Sequence, residues 1–249
     1  MRLANKVALV TGGGRGIGHA IALGLAREGA DVAVNYVRHA EAAAATVAQI
    51  RELGRRGLAV QADTGVRAEV ERMVAEVIDA FGRIDILVNN AGVGGFVPFL
   101  EVTEADLDKV INTNLKGVFF VGQAVARHMV QQGRGKIINI TSEAQQKALP
   151  LLTHYCASKA GAYMLSRGMA LELAPYKINV NMIAPGPTRT DMNRERLQDP
   201  AEVEKRVRRI PLGRMGEPED LVGAAVFLAS DEANHVTGAV IAVDGGAVI

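Results

Sequence analysis

"VTGGGRGIGHAIALGLAREGADVAV" runs from Val10 to Val34. It opens on the end of a short β-branched apolar run and passes through a cluster of glycines. It then continues with apolar residues at helical spacing and closes on a second β-branched run. Strand, glycine turn, helix and strand in that order make one parallel βαβ unit. The same alternation recurs along the chain. The pattern predicts strands at "VALVT" (7–11), "DVAVNY" (31–36), "GLAVQA" (57–62), "IDILVNN" (84–90), "GKIINIT" (135–141), "INVNMIA" (178–184) and "AVIAVDG" (239–245). It predicts helices near 17–29, 40–54, 66–82, 103–132, 153–174 and 218–229. Strands that are apolar throughout, rather than alternating, suit a sheet covered on both faces. The expected fold is therefore α/β, a doubly wound parallel sheet of about seven strands with helices on both faces. No Pro/Ser-rich linker, composition break or internal repeat divides the sequence, so one domain over 1–249 is expected.

Composition narrows the function classes. Hydrophobic residues make up 49% of the 249, but Trp is absent and aromatics reach only 4%, so the core must be Val, Ile, Leu and Ala. With 28 basic and 27 acidic residues the net charge is +1, which gives no electrostatic basis for binding nucleic acid or an anionic membrane. The densest basic cluster, "EKRVRRIPLGR" (Glu204–Arg214), is interleaved with acids and reads as a solvated helix face. A single cysteine, Cys156, excludes an intramolecular disulfide and a cysteine metal cluster, and the five histidines are scattered, so no metal is expected. Cys156 itself reads as a small packing residue, because nothing nearby marks an activated thiol. No apolar segment precedes a cleavage site, and no apolar stretch approaches the ~20 residues that span a bilayer. A soluble, cytoplasmic protein is the expectation.

The glycines Gly12, Gly16 and Gly18 follow a G-x-x-x-G-x-G spacing between the first strand and the first helix. Small residues there permit a tight turn, let backbone N–H groups approach a pyrophosphate, and allow close strand–helix packing. A dinucleotide site also needs a group for the adenine ribose at the end of the second strand. Here that strand ends in "VNYVRH" (Val34–His39), with no acid at its tip; Arg38 lies just beyond it and Arg15 sits in the glycine loop. Missing negative charge plus two guanidinium groups favours the 2′-phosphate of NADP(H) over NAD(H). Asp63, after the third strand, is either an acceptor for the adenine amino group or an ordinary turn aspartate.

Several further motifs stand in order: "TGGGRGIG" (11–18), "NNAG" (89–92), Asn114 in "INTNLKGVFF", Ser142 in "IINITS", "YCASK" (155–159) and "PGPTRTDM" (185–192), with Ser142 placed 13 positions before Tyr155. In these motifs the chain resembles the short-chain dehydrogenase/reductase family over essentially its full length. The resemblance implies a Rossmann-type sheet, a nicotinamide cofactor and a catalytic group of Asn114, Ser142, Tyr155 and Lys159. Tyr155 would be the acid/base on the substrate oxygen. A free phenol titrates at about 10, so it needs help, and Lys159, one helical turn on, would lower that pKa and bind the nicotinamide ribose. Ser142 would hydrogen-bond the substrate oxygen, and Asn114 would hold a water linking Lys159 to solvent. The implied cofactor contacts are Gly12, Arg15, Gly16, Ile17, Gly18, Tyr36, Arg38, Asp63, Asn90, Ala91, Gly92, Tyr155, Lys159, Pro185, Gly186, Thr188 and Thr190.

Candidate substrate-pocket residues are Phe96, Glu143, Gln145, Leu149, Leu152, Pro187 and Met192, under a mobile helical lid near 188–212. Within the family the C-terminal stretch resembles β-ketoacyl-thioester reductases and sugar 1-dehydrogenases. The first expectation is an NADP(H)-dependent ketone or 3-oxoacyl-thioester reductase, and the second is an aldose 1-dehydrogenase. A catalytically silent nucleotide-binding regulator, and a lyase, epimerase or dehydratase, are readings from other classes. Intact Asn114, Ser142, Tyr155 and Lys159 argue against the first of these. The missing C-terminal substrate domain argues against the second. The resemblance also implies a homotetramer, paired through the helices at 103–132 and 153–174 and through 218–229 with the last strand.

Overall fold

A computed structural model describes all residues, Met1–Ile249. The strands are β1 (Val7–Val10), β2 (Asp31–Tyr36), β3 (Gly57–Gln61), β4 (Ile86–Asn89), β5 (Gly135–Ile140), β6 (Ile178–Pro185) and β7 (Val240–Val243). The helices are α1 (Gly16–Arg27), α2 (Ala40–Glu52), α3 (Arg67–Phe81), α4 (Glu104–Ile111), α5 (Gly117–Gln132), α6 (Thr153–Leu173), α7 (Pro200–Val207) and α8 (Val222–Ala229). All seven strands pair in parallel in the order β3-β2-β1-β4-β5-β6-β7. This is the doubly wound, Rossmann-type sheet the sequence predicts.

The continuous apolar strands are explained by burial on both faces. Ala8 and Val10 of β1, Val32 and Val34 of β2, and Ile86 and Val88 of β4 join a core with Ile21 and Leu25 of α1, Ile50 of α2 and Leu228 of α8. Their neighbours Leu9, Ala33 and Leu87 point the other way, into a second core with Val70 and Met73 of α3, Val121 and Met129 of α5 and Ala170 of α6. Successive residues thus feed opposite faces with the period of two that a strand imposes. The chain winds outward in both directions from β1 and β4, so a crevice opens beyond their carboxyl ends, where ligands of such sheets bind.

Two elements differ from expectation. The single helix predicted over 103–132 is broken: Asn112–Lys116 form a π-turn between α4 and α5. A π-turn inserts one residue into the helix and rotates the turns after it, and here Asn114 is fully buried. The lid contains one short α-helix, α7, started by Pro200 and capped by Asp199 through the Ala201 N–H at 2.9 Å. The remainder of the lid is mainly turns at Asp191–Asn193 and Arg196–Gln198. No helix is long and apolar enough to cross a membrane.

Asn35, at the end of β2, ties this crevice together. Its side chain is fully buried, accepts the Gly12 N–H at 3.2 Å and donates to the Ala62 carbonyl at 2.9 Å. Asn35→Ala leaves the buried Ala62 carbonyl and the half-buried Gly12 N–H without this partner. It should cost about 1–3 kcal/mol of stability, read as a lower urea midpoint at unchanged slope.

Candidate active site

The glycine loop leaves β1 at Thr11, whose hydroxyl accepts the N–H groups of Asn90 at 2.9 Å and Ala91 at 3.0 Å from the end of β4. Asn90 returns its side-chain amide to the carbonyls of Thr11 at 2.9 Å and Gly12 at 3.2 Å. These bonds seat the "NNAG" segment directly on the loop, where the resemblance places a cofactor. Gly12 takes a left-handed φ of +61°. A Cβ at Gly18 would lie 2.4 Å from both the Gly12 carbonyl oxygen and the Asn90 amide nitrogen, closer than atoms can pack. Helix α1 then begins at Gly16 with no side-chain cap and no acid in its first turn. An uncapped helix start behind a close-packed glycine turn fits a pyrophosphate.

Around the adenosine half, Tyr36 closes β2 and Arg38 is exposed beyond it. Arg15 is exposed but leans towards the lid, its guanidinium 3.6 Å from Asp191. Asp63 accepts the Gly65 N–H at 2.8 Å, the ordinary turn role, with one oxygen. Pro185 ends β6, Gly186 and Pro187 follow, and Thr188 is buried with its hydroxyl donating to the Gly186 carbonyl at 3.1 Å. A Cβ at Gly16 would meet the Thr190 side chain at 3.8 Å, so the glycine turn and the segment after β6 lie close together. Ile17 packs its partly buried side chain on the core below.

The four candidate catalytic residues come together at the carboxyl ends of β4 and β5. Asn114 accepts the Val93 N–H at 2.8 Å and donates to the Val93 carbonyl at 2.9 Å and to Ser158 Oγ at 3.0 Å. Ser158 in turn donates to the Tyr155 carbonyl at 2.7 Å. Through one amide the π-turn, the loop after β4 and α6 are locked together. Lys159 is buried and donates to the Ile140 carbonyl at 2.9 Å. Gly92 faces both, since a Cβ there would meet Asn114 Oδ1 at 3.5 Å and Lys159 Nζ at 3.7 Å. Ser142 leaves the end of β5 and accepts the Ala144 N–H at 3.1 Å.

The expectation that Lys159 lowers the Tyr155 pKa is not met in the protein by itself. Burial pushes the phenol up to about 12; Ser142's hydrogen bond pulls it down, while Cys156 and Glu143 add to the rise. Burial also pushes the Lys159 ammonium down to about 8. The Lys159 Nζ lies 5.7 Å from the tyrosine ring centroid. At that range desolvation of both groups outweighs their mutual attraction.

Of the predicted pocket residues, Glu143 and Met192 have contacts that tie them to this group. Glu143 follows Ser142 directly, 3.6 Å from Lys147, and burial raises its pKa. Gln145 Oε1 is buried with no hydrogen-bond partner. Leu149 and Leu152 are partly buried in the following turn. Met192 reaches from the lid to Gly94, where a Cβ would meet its Sδ at 3.2 Å and Tyr155 Cδ2 at 3.6 Å. Phe96 lies beneath two lid arginines, Arg196 with its guanidinium carbon 4.1 Å from the ring centroid and Arg206 at 5.9 Å. The basic cluster expected to be a solvated face is therefore only partly so. Lys205, Arg208 and Arg209 are exposed, but Arg206 is tucked in at 19% side-chain exposure. Cys156 donates a weak bond to the Lys147 carbonyl at 3.9 Å, consistent with packing.

Sequence reasoning missed Thr11, Asn35 and Ser158, which position the site, and His154, buried with an unpartnered Nδ1 beside Tyr155. Ser158 lay inside the quoted "YCASK". The polar Asn35 in an otherwise apolar run was the signal for the second. Gly18→Ala forces the 2.4 Å contacts apart; it should lower the melting temperature and abolish the fluorescence change on NADPH titration.

The family model described as "short chain dehydrogenase" matches residues 6–201. The L-rhamnose 1-dehydrogenase (NAD(P)(+)) of Azotobacter vinelandii is 43% identical over 250 residues, covering 99% of this chain and 98% of that protein. A 3-oxoacyl-[acyl-carrier-protein] reductase of Staphylococcus epidermidis is also 43% identical, over 97% of this chain and 98% of its own length. The crystal structure of a gluconate 5-dehydrogenase from Burkholderia cenocepacia in complex with NADP and tartrate superposes with a TM-score of 0.94 at 40% identity, covering 99% of this chain and 96% of that one. With its parallel sheet, its glycine turn and the Ser142–Tyr155–Lys159 cluster, the chain belongs to the short-chain dehydrogenase/reductase family, enzymes that interconvert alcohols and carbonyls.

Proposed function

We propose that this enzyme interconverts a secondary alcohol and a ketone on a polyhydroxylated, sugar-derived substrate, using NADP(H) in preference to NAD(H). The observation that carries the substrate class is Gln145 Oε1, a buried acceptor without a donor, set one short turn from Ser142. A buried unpaired acceptor costs free energy, and a rotation of this amide would offer it to a ligand hydroxyl. Glu143 adds a second acceptor beside it. The similar proteins named for rhamnose and for gluconate, the latter with tartrate bound, act on or hold molecules of that kind. Both observations support the sugar reading over the acyl-thioester one. Thioester reduction is the second reading, favoured by the apolar wall of Leu149, Leu152 and Met192 and by the similar 3-oxoacyl reductase.

A nicotinamide cofactor held by the glycine turn and Lys159 would supply the hydride acceptor or donor. Ser142 hydrogen-bonds the substrate oxygen and Tyr155 exchanges its proton. In oxidation Tyr155, as the phenolate, would take the substrate O–H proton, and in reduction the phenol would give one to the substrate oxygen. Lys159 and Asn114 keep the phenol in proton exchange with solvent. Arg38, exposed and with no acid at the tip of β2, and Arg15 are the assigned contacts for the 2′-phosphate. Exposed Phe119 of α5 and Met164 and Leu171 of α6 suit a self-association surface between copies of this chain.

Tyr155→Phe should reduce kcat by about 10²–10⁴-fold, the usual worth of a positioned acid/base, while NADPH binding persists. In the wild type the raised phenol pKa means proton donation is ready at neutral pH, whereas proton acceptance requires ionisation. Oxidation should therefore accelerate with rising pH across the alkaline range and reduction should slow; the opposite slopes would remove Tyr155 from the role. A panel of aldoses, ketoses, sugar acids and 3-oxoacyl thioesters, run with NADP(H) and NAD(H), tests substrate and cofactor together. Turnover confined to thioesters would overturn the sugar reading, and tighter NADH than NADPH binding would overturn the phosphate assignment.

A further inference from the structure

Arg196 and Arg206 of the lid converge on one point. Both donate to the same oxygen of Glu202, each at 3.1 Å, and both lie over the ring of Phe96. Each guanidinium uses a single N–H on Glu202 and makes no other hydrogen bond, so most of its donor fork is free. Two cations against one carboxylate leave a positive surplus. Three observations place that surplus at the substrate. Phe96 lies two residues beyond Gly94, which packs against Tyr155. Met192 of the same lid touches Gly94. Burial pushes the Glu143 carboxyl up and Asp244 adds to the rise, while Lys147 and, to a smaller extent, Arg206 pull it down, so Arg206 lies within electrostatic range of the neighbour of Ser142.

A hydroxyl can accept from one guanidinium N–H, but a carboxylate matches the planar fork bidentately and also neutralises the surplus charge. We propose that Arg196 and Arg206 bind the carboxylate of an acidic sugar, so that the substrate is an aldonate or its keto derivative. This rests on the polyol reading above and narrows it. Glu202 holds the two arginines together in the absence of substrate, and Phe96 supplies the flat surface on which they lie.

The test is calorimetric binding of D-gluconate and D-glucitol, which differ only in a carboxylate or CH2OH at one end, to the NADPH-loaded enzyme, in which neither alcohol can be oxidised. Gluconate should bind at least about tenfold tighter, the difference expected for charge-assisted bonds. Arg206→Gln and Arg196→Gln should each erase most of that ratio, Arg206→Lys should restore part of it, and Glu202→Gln should preserve it. NADP⁺ affinity and melting temperature establish that each variant is folded. Equal binding of the two ligands by the wild type, or a ratio that survives both glutamine variants, would overturn the carboxylate site while leaving the polyol reading intact. Tighter binding of glucitol 6-phosphate than of gluconate would also overturn it, in favour of a phosphate. Binding of neither ligand, with turnover of thioesters alone, would remove the polyol reading and this inference together.

Discussion

The side-chain amide of Asn114 holds three separate pieces of chain in one arrangement. It pairs with both backbone groups of Val93 and with Ser158, which in turn bonds the Tyr155 carbonyl. Because Asn114 is fully buried, every one of those bonds is made where an unpaired group would be costly. The π-turn that brings it inward is the local cost of this geometry. The loop carrying Gly92, Gly94 and Phe96 and the helix carrying Tyr155 and Lys159 therefore cannot shift independently. The spacing between Gly92 and the Tyr155–Lys159 turn is held by that amide.

The same logic operates at the other end of the crevice. Thr11, Asn35 and Asn90 knit the carboxyl ends of β1, β2 and β4 through hydrogen bonds between neighbouring strands. The sheet interior is apolar and the polar groups are concentrated where the strands end, so the site is built where backbone amides become available. Desolvation then tunes the chemistry: it holds the phenol protonated and brings the lysine into a range where it exchanges protons. The two shifts are of the kind that burial produces at sites where protons are exchanged. The segment after β6 adds a third layer, with Met192 set against Gly94 and Arg196 and Arg206 over the Phe96 ring.

Much of this was legible in the residues. Period and composition predicted a parallel sheet, because Leu9, Ala33 and Leu87 and their neighbours leave no polar face to a strand. The glycine spacing after β1, and the tyrosine and lysine one turn apart, marked the two ends of the site. The π-turn was not legible, since "INTNLKG" satisfies helical periodicity and only the tertiary pull on Asn114 breaks it. The pKa directions were not legible either, because burial depends on which elements cover a side chain, and that outweighed the attraction expected between Tyr155 and Lys159. Arg206 looked solvated within a run of charges. The aromatic ring that holds it lies far away in sequence, on the loop after β4.

The sequence by itself determined the fold class, the order of the elements and the types of reactive groups, because these follow from local periodicity and side-chain chemistry. Tertiary structure decided which carbonyl each amide meets, which charges are desolvated and which residues after β6 pack on Gly94 and Phe96. Those are properties of positions brought together across long stretches of chain, where hydrogen-bond distance and dielectric environment are set by packing rather than by neighbours in sequence.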